Sequence, residues 1–177
     1  TFAETIVITK SVSLMGGYTG LPGDTTNRTP RATIIDGGAA GSAIYVGGAG
    51  ITAIEVTVNG FEITNGAAGA SNGGGIYIDV EDDSVVTIHN NFIHDNNATD
   101  GGGIYADVDN RSDLYIRGND VMTNTTIDDY AGIYADVYLS GTLVLSDNDI
   151  VGNISGDRYG GLTVYVEGLT QVEIEKK

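Results

Sequence analysis

Tyrosine and aspartate recur together along this chain at a fixed offset. Tyr45, Tyr77, Tyr105 and Tyr134 are followed two positions later by Gly47, Asp79, Asp107 and Asp136, and two positions beyond that by Ala49, Glu81, Asp109 and Tyr138. Aromatic rings beside carboxylates suit sugar recognition, because the apolar faces of pyranose rings stack on aromatics while hydroxyls donate to carboxylate oxygens. The candidate ligand-binding set is therefore Tyr77, Asp79, Tyr105, Asp107, Tyr134 and Asp136. Three carboxylates in line also invite a cation, since ionised groups about 5 Å apart repel by ~3 kcal/mol at an effective dielectric of 20. The plain structural account of the same residues is a solvated acidic face beside tyrosines that stack because they are good strand residues.

A second set of oxygens lies three positions before an aligned glycine in each repeat, at Asn72, Asp100, Asp129 and Arg158, with Asp128 and Asp157 one position earlier. Calcium takes carboxylates and carbonyls in flexible geometry, so Asp100 and Asp129 join Asp79, Asp107 and Asp136 as candidate metal ligands, and calcium is the cofactor to test. The spacing is not that of an EF-hand. Turn geometry, with Arg158 pairing Asp129 at the surface, accounts for these residues equally well. Acid/base chemistry has less to draw on. His89 shares an outward column with Arg117, His94 adjoins Asp95, and the acidic pairs Asp82-Asp83 and Asp128-Asp129 stand without a Gly-His-Gly or Arg-x-Lys element. The expectation is a binding rather than a catalytic protein.

What must position these residues is an internal repeat. GGGIY at 73–77 returns as GGGIY at 101–105, AGIY at 131–134 and GGLT at 160–163, and the aligned Gly75, Gly103, Gly132 and Gly161 are 28, 29 and 29 residues apart. Thirteen residues after each comes an aliphatic, Ile88, Ile116, Leu145 or Ile174, with Val86, Leu114, Leu143 or Val172 two before it. Alternation of period two means strand. Three copies continue with columns Asn91/Asn119/Asn148 and Asn96/Asn124/Asn153, and amides stacked in this way can bond one another in ladders, a structural role. An imperfect copy runs from Ala43-Ile44-Tyr45 through Val58, Ile63 and Asn65, with one residue fewer before its Asn, and Ile76, Ile104, Ile133 and Leu162 are expected to stack in one line, each buried by the coils above and below. A period of this size without helical stretches predicts an all-β stack of parallel coils, a β-solenoid of about five to six turns. We read residues 1–177 as one domain, with irregular N-terminal coils at 1–42 around a loop at 18–31, and regular repeats over 43–177.

The pairing of GG-x-I with an aliphatic-x-x-Asn element, Ile93-His94-Asp95-Asn96, Val121-Met122-Thr123-Asn124 and Ile150-Val151-Gly152-Asn153, resembles the GG-x-I/F-x-x-N repeats of polymorphic outer-membrane proteins and related bacterial surface proteins. Aliphatics replace the phenylalanine favoured there. The resemblance spans 43–174 and implies the right-handed parallel β-helix shared with pectate lyases, and a bacterial cell-surface or extracellular setting. That superfamily hosts lyases, hydrolases, adhesins and stalks alike.

Composition narrows the field further. A net charge of -16 with eight Lys and Arg argues against nucleic acid and anionic membrane as partners. Absence of Cys excludes disulfide and thiolate-metal frameworks, and no apolar run is long enough for membrane insertion as a helix. Five N-x-S/T sequons, at Asn27, Asn97, Asn110, Asn124 and Asn153, fall mostly in turns. The functional expectation is a non-enzymatic extracellular module, a stalk or adhesin-type segment with a carbohydrate- or calcium-binding face, partnered by a glycan or a surface protein. The alternative is a fragment of a polysaccharide lyase or glycoside hydrolase. The last strand, Gln171 to Glu175, leaves its ladder hydrogen bonds open, which predicts end-to-end stacking with further coils.

Overall fold

The computed structural model describes residues 4–17, 31–168 and 170–176. Most of the loop expected at 18–31 lies outside the described residues. The chain winds in coils of three short strands. The first coil holds β1 (Ile6–Ile8), β2 (Val12–Met15) and β3 (Thr33–Asp36); the second β4 (Ile44–Thr52), β5 (Glu55–Asn59) and β6 (Phe61–Thr64). The third holds β7 (Ile76–Glu81), β8 (Val85–His89) and β9 (Phe92–His94), with a two-residue strand β10 (Asn97–Ala98). The fourth repeats this as β11 (Ile104–Val108), β12 (Asp113–Arg117), β13 (Asp120–Met122) and β14 (Thr125–Thr126). The fifth has β15 (Ile133–Tyr138), β16 (Thr142–Ser146) and β17 (Asp149–Val151), and the sixth β18 (Leu162–Glu167) and β19 (Gln171–Glu175).

Equivalent strands pair in parallel from coil to coil, giving three long sheets ordered β1-β4-β7-β11-β15-β18, β2-β5-β8-β12-β16-β19 and β3-β6-β9-β13-β17, and a two-stranded sheet β10-β14. Among the described residues there is no helix. Parallel pairing follows from the repeat, because a strand of the same sequence one coil on presents the same apolar face to the same interior. Ile44, Ile76, Ile104 and Ile133 stack in register and are fully buried, as are Val86, Leu114 and Leu143 in the second sheet and Ile63, Ile93 and Val121 in the third. The glycines before the first sheet let coils approach. A Cβ on Gly103 would sit 2.6 Å from the Gly132 carbonyl oxygen and 2.6 Å from Val121 Cγ1, well inside contact distance.

The interior asparagines are paired with one another. The Asn119 Nδ2 donates to the Asn148 Oδ1 at 3.0 Å and to the Ile88 carbonyl at 2.9 Å, while its Oδ1 accepts from the Asn91 backbone N–H and Nδ2 at 3.0 and 3.1 Å. Asn96, Asn124 and Asn153 form a second such ladder at 2.9 and 3.0 Å. Every donor and acceptor of Asn119 and of Asn124 is thus used inside the protein. The sequon asparagine Asn124 is fully buried in this ladder.

The structure corrects the sequence reading in three places. Ala49 does not continue the column above Glu81: the β4–β7 register shifts after Gly47, and Thr52 pairs with Glu81, because Gly48 and Gly50 at φ 116° and 77° carry the strand through a bulge. Leu162 stacks on Ile133 but is 39% exposed, since among the described residues no coil covers it. At the asparagine position of the second coil stands Gly66, whose N–H donates to Asn96 Oδ1 at 2.9 Å, and Asn65 beside it is a turn residue at φ 55°.

Candidate functional site

The outer face of the first sheet brings the predicted residues together. Tyr45, Tyr77, Tyr105 and Tyr134 pair in register, as do Asp79, Asp107 and Asp136, ending at Tyr165. Ring centroids are 5.1 Å apart for Tyr45 and Tyr77, 5.6 Å for Tyr77 and Tyr105 (edge-on), and 4.6 Å for Tyr105 and Tyr134. These rings cover one another's faces, so within the row they offer a ligand their edges and hydroxyls. Tyr45 Oη donates to Asp79 at 3.1 Å, and Tyr134 Oη to Asp136 at 3.3 Å. Burial, with Asp79 alongside, pushes the Tyr45 hydroxyl up to about 12; burial, then Asp107, does the same to Tyr105. Both remain protonated donors at neutral pH. A groove of about 410 Å³ opens at the N-terminal end of the row, lined by Thr5, Ser42, Tyr45, Ser71 and Tyr77 among others.

The row widens at its other end through Tyr165, which ends the aspartate column, and through Tyr130 and Tyr159, which the repeat pattern did not single out. Tyr130 stands 4.4 Å from Tyr134, Tyr159 stacks on Tyr130 at 5.6 Å with 4° between planes, and Tyr165 tilts over Tyr134 at 5.8 Å. Tyr159 and Tyr165 are 50% and 47% exposed. Tyr130 and Tyr159 occupy the positions held by Gly73 and Gly101 in the preceding coils, and all four share the left-handed backbone, at φ 66°, 64°, 68° and 65°. Glycine takes that conformation freely, whereas a bulky side chain there costs about 1–2 kcal/mol. In the earlier coils a side chain at this point is also barred, because a Cβ on Gly101 would meet Tyr105 Cβ at 2.5 Å. The replacement of a repeat glycine by tyrosine, twice in succession, was the available sequence signal.

The carboxylate column carries its own strain. Asp107 is exposed, yet partial desolvation on the crowded face, together with Asp109, Asp136 and Asp79, pushes its carboxyl up to about 6. Asp109 is raised by the same causes, desolvation first and then Asp136. Among the described residues no Lys or Arg forms an ion pair with Asp79, Asp107 or Asp136.

The turn oxygens are engaged elsewhere. Asp100 accepts the Asp129 backbone N–H at 2.9 Å, and Asp129 accepts the Arg158 N–H at 2.8 Å and its Nη2 at 3.0 Å. Among the described residues no three His, Asp or Glu side chains converge as a metal-binding group, so the calcium expectation finds no preformed chelate at Asp79, Asp107 and Asp136 or at Asp100 and Asp129. The other titratable residues lie apart from the tyrosines. His89 and Arg117 are neighbours on the second sheet. His94, on the third, contacts Glu62 at 3.2 Å and Asp95 at 2.8 Å and stacks on Phe92 at 4.0 Å. Asp83 is held by Arg111 at 2.8 Å.

Comparison with known proteins agrees with the coils. The family described as right handed beta helix region matches residues 26–176. Searches of curated proteins and of solved structures gave no match.

Proposed function

Because the chain belongs to the right-handed β-helix family, whose fold sets repeat residues in columns, we propose that it is a non-enzymatic extracellular or cell-surface module that binds carbohydrate on the outer face of its first sheet. One observation carries this reading: Tyr130 and Tyr159 hold rings at two left-handed positions where the preceding coils have glycine. Tyrosine in that conformation costs about 1–2 kcal/mol relative to glycine, and what it brings is two further rings beside Tyr134. With Tyr134 and Tyr165 they make a four-ring platform whose outer members are half exposed. Asp136 lies beside it and accepts from Tyr134, leaving carboxylate lone pairs for sugar hydroxyls. A pyranose seated on Tyr159 or Tyr165 would bury an apolar face on a ring and donate to Asp136. Further sugar units would run along the Tyr/Asp columns, where Asp107 and Asp79 repeat the acceptor at each coil.

An immobilised-glycan screen, run with and without calcium, tests the proposal. Retention on a subset of glycans supports it. Enhancement by calcium would show that bound sugar and carboxylates complete a cation site together. Failure to retain on any glycan under either condition contradicts it, and release of unsaturated products from polyuronates, seen as rising ultraviolet absorbance, would replace it with the lyase alternative.

A further inference from the structure

The tyrosine row is also a continuous line of oxidisable rings. From Tyr45 the centroid steps are 5.1 Å to Tyr77, 5.6 Å to Tyr105 and 4.6 Å to Tyr134. From Tyr134 the line passes to Tyr130 at 4.4 Å and on to Tyr159 at 5.6 Å, with Tyr165 at 5.8 Å as a side branch. Every step is a contact between aromatic rings, so an electron can move along the row without crossing saturated chain. A phenol gives up an electron readily when a base within hydrogen-bond reach takes its proton in the same step, and the aspartate column places carboxylates along the whole row. Tyr45 donates to Asp79 at 3.1 Å and Tyr134 to Asp136 at 3.3 Å. Burial, then Asp79 and Asp107, raises the Tyr77 hydroxyl, and burial, then Asp107, raises that of Tyr105, so these two also have a carboxylate close by. The chain holds no Trp and no Cys, the side chains that would drain an oxidising equivalent from tyrosine. Among the described residues Tyr115, on the second sheet, touches none of these rings.

We propose that the paired Tyr and Asp columns form a relay that carries an oxidising equivalent from coil to coil along the solenoid. The oxidant is an external one-electron acceptor of high potential, such as a ruthenium(III) polypyridyl complex or an oxygen-centred radical. At entry it takes one electron from Tyr45. The Tyr45 O–H bond breaks, the proton passes to the Asp79 carboxylate, and a neutral phenoxyl radical remains. At the first hop Tyr77 gives one electron to that radical. The Tyr45 oxygen recovers its proton from Asp79 and becomes a phenol again, while the Tyr77 hydroxyl proton passes to a carboxylate or water beside it, which leaves Tyr77 as the radical. A hop therefore creates no net charge, and it moves the radical by one coil spacing, about 4.8 Å. Repetition takes the radical away from its point of entry to the half-exposed rings of Tyr159 and Tyr165, where a reductant in solution can quench it. The relay shares tyrosines with the proposed sugar site but does not rest on that reading, since no sugar takes part.

The absence of Cys makes the test clean. Ala40 is exposed and lines the groove beside Tyr45, so Ala40→Cys in the full 177-residue chain gives a single thiol there for a ruthenium(II) polypyridyl sensitiser, which flash and quench convert to ruthenium(III). Radicals are captured by a nitroso spin trap and located by mass spectrometry of proteolytic peptides. The expected result is trapped radical at Tyr159 or Tyr165, in a yield per chain that does not change with protein concentration. Tyr105→Phe keeps the stack but removes the oxidisable phenol from its middle; trapping at Tyr159 and Tyr165 should be lost, with Tyr45 and Tyr77 still trapped. Tyr134→Phe interrupts the row one coil later and should act alike, which covers a folding defect in either variant. Tyr115→Phe, off the row, should leave the pattern unchanged. Radical confined to Tyr45 and Tyr77 in the labelled chain without a Phe substitution overturns the proposal. So does radical at Tyr159 or Tyr165 that survives Tyr105→Phe and Tyr134→Phe, or a loss that Tyr115→Phe produces equally.

Discussion

A tyrosine at φ 64° is held there by its surroundings rather than by its own preference. Tyr159 is stacked on Tyr130 and flanked by Arg158, whose guanidinium lies 5.7 Å from its ring centroid. Replacing Tyr159 with Gly removes left-handed strain of about 1–2 kcal/mol and the stacking of one half-exposed ring, about 0.5–1.5 kcal/mol. These offset, and the variant should melt within a few degrees of the parent by calorimetry. A large fall in Tm would mean that the ring is structural. Asp107 makes the opposite contribution to stability from the usual paired carboxylate. Its folded value, about 6, lies above the ordinary aspartate range, so between the two the folded state binds more protons than the unfolded. Asp107 therefore destabilises the fold fully above about pH 6 and ceases to do so as pH falls towards 4. Substituting Asp107 by Asn should raise Tm at pH 7–8 and flatten its dependence on pH between 4 and 6. In the parent, an NMR titration should place the Asp107 carboxyl midpoint near 6 and move it down in Asp136→Asn; a midpoint in the ordinary range would refute the crowding argument.

Among the elements, the ladders are the most sharply testable. Changing Asn119 to Ala deletes two donors and two acceptor contacts and strands the Asn91 N–H in the interior, at a cost of about 3 kcal/mol or more. Urea or thermal unfolding should show that loss as a fall in Tm of about 10 °C, whereas a variant within a couple of degrees of the parent would show water replacing the amide. The strand columns were readable from the sequence because a side chain one coil away occupies the same environment, so equal spacing becomes equal register. That is why Ile76, Ile104 and Ile133, or Asp79, Asp107 and Asp136, were aligned correctly by counting. Counting fails where a coil inserts residues locally. The bulge in β4 moved Thr52 into the place assigned to Ala49, since Gly48 and Gly50 can absorb an insertion without altering the coils around them. It also missed the platform at Tyr130 and Tyr159, because the copies were aligned from the residues after them and the position two before the aligned glycine was not compared as a column of its own. That neighbouring tyrosines cover one another's faces depends on side-chain torsions, which no repeat pattern encodes.

For the whole molecule, stability is shared between adjacent coils, so damage should spread from one coil to its neighbours rather than stay local. Ile104→Asp places a charge among fully buried neighbours in the middle of the stack and should abolish the cooperative melting of at least coils three to five; near-parent melting would mean that the inward face has been misassigned. The same stacking lets coils two to five present a continuous tyrosine row, with aspartates beside it in coils three to five, and the acidic net charge of -16 favours neutral or cation-bridged ligands over polyanions. The account rests on that face binding sugar through the tyrosine platform. Its most direct test is calorimetric titration of the parent and of Tyr159→Gly, at about 0.1 mM protein, with neutral and acidic oligosaccharides in the presence and absence of calcium. We predict saturable heat for the parent with at least one oligosaccharide, and affinity weakened by about tenfold in the variant, the loss of one stacked ring. No heat from the parent with any of them, or equal affinity in the two proteins, would contradict it.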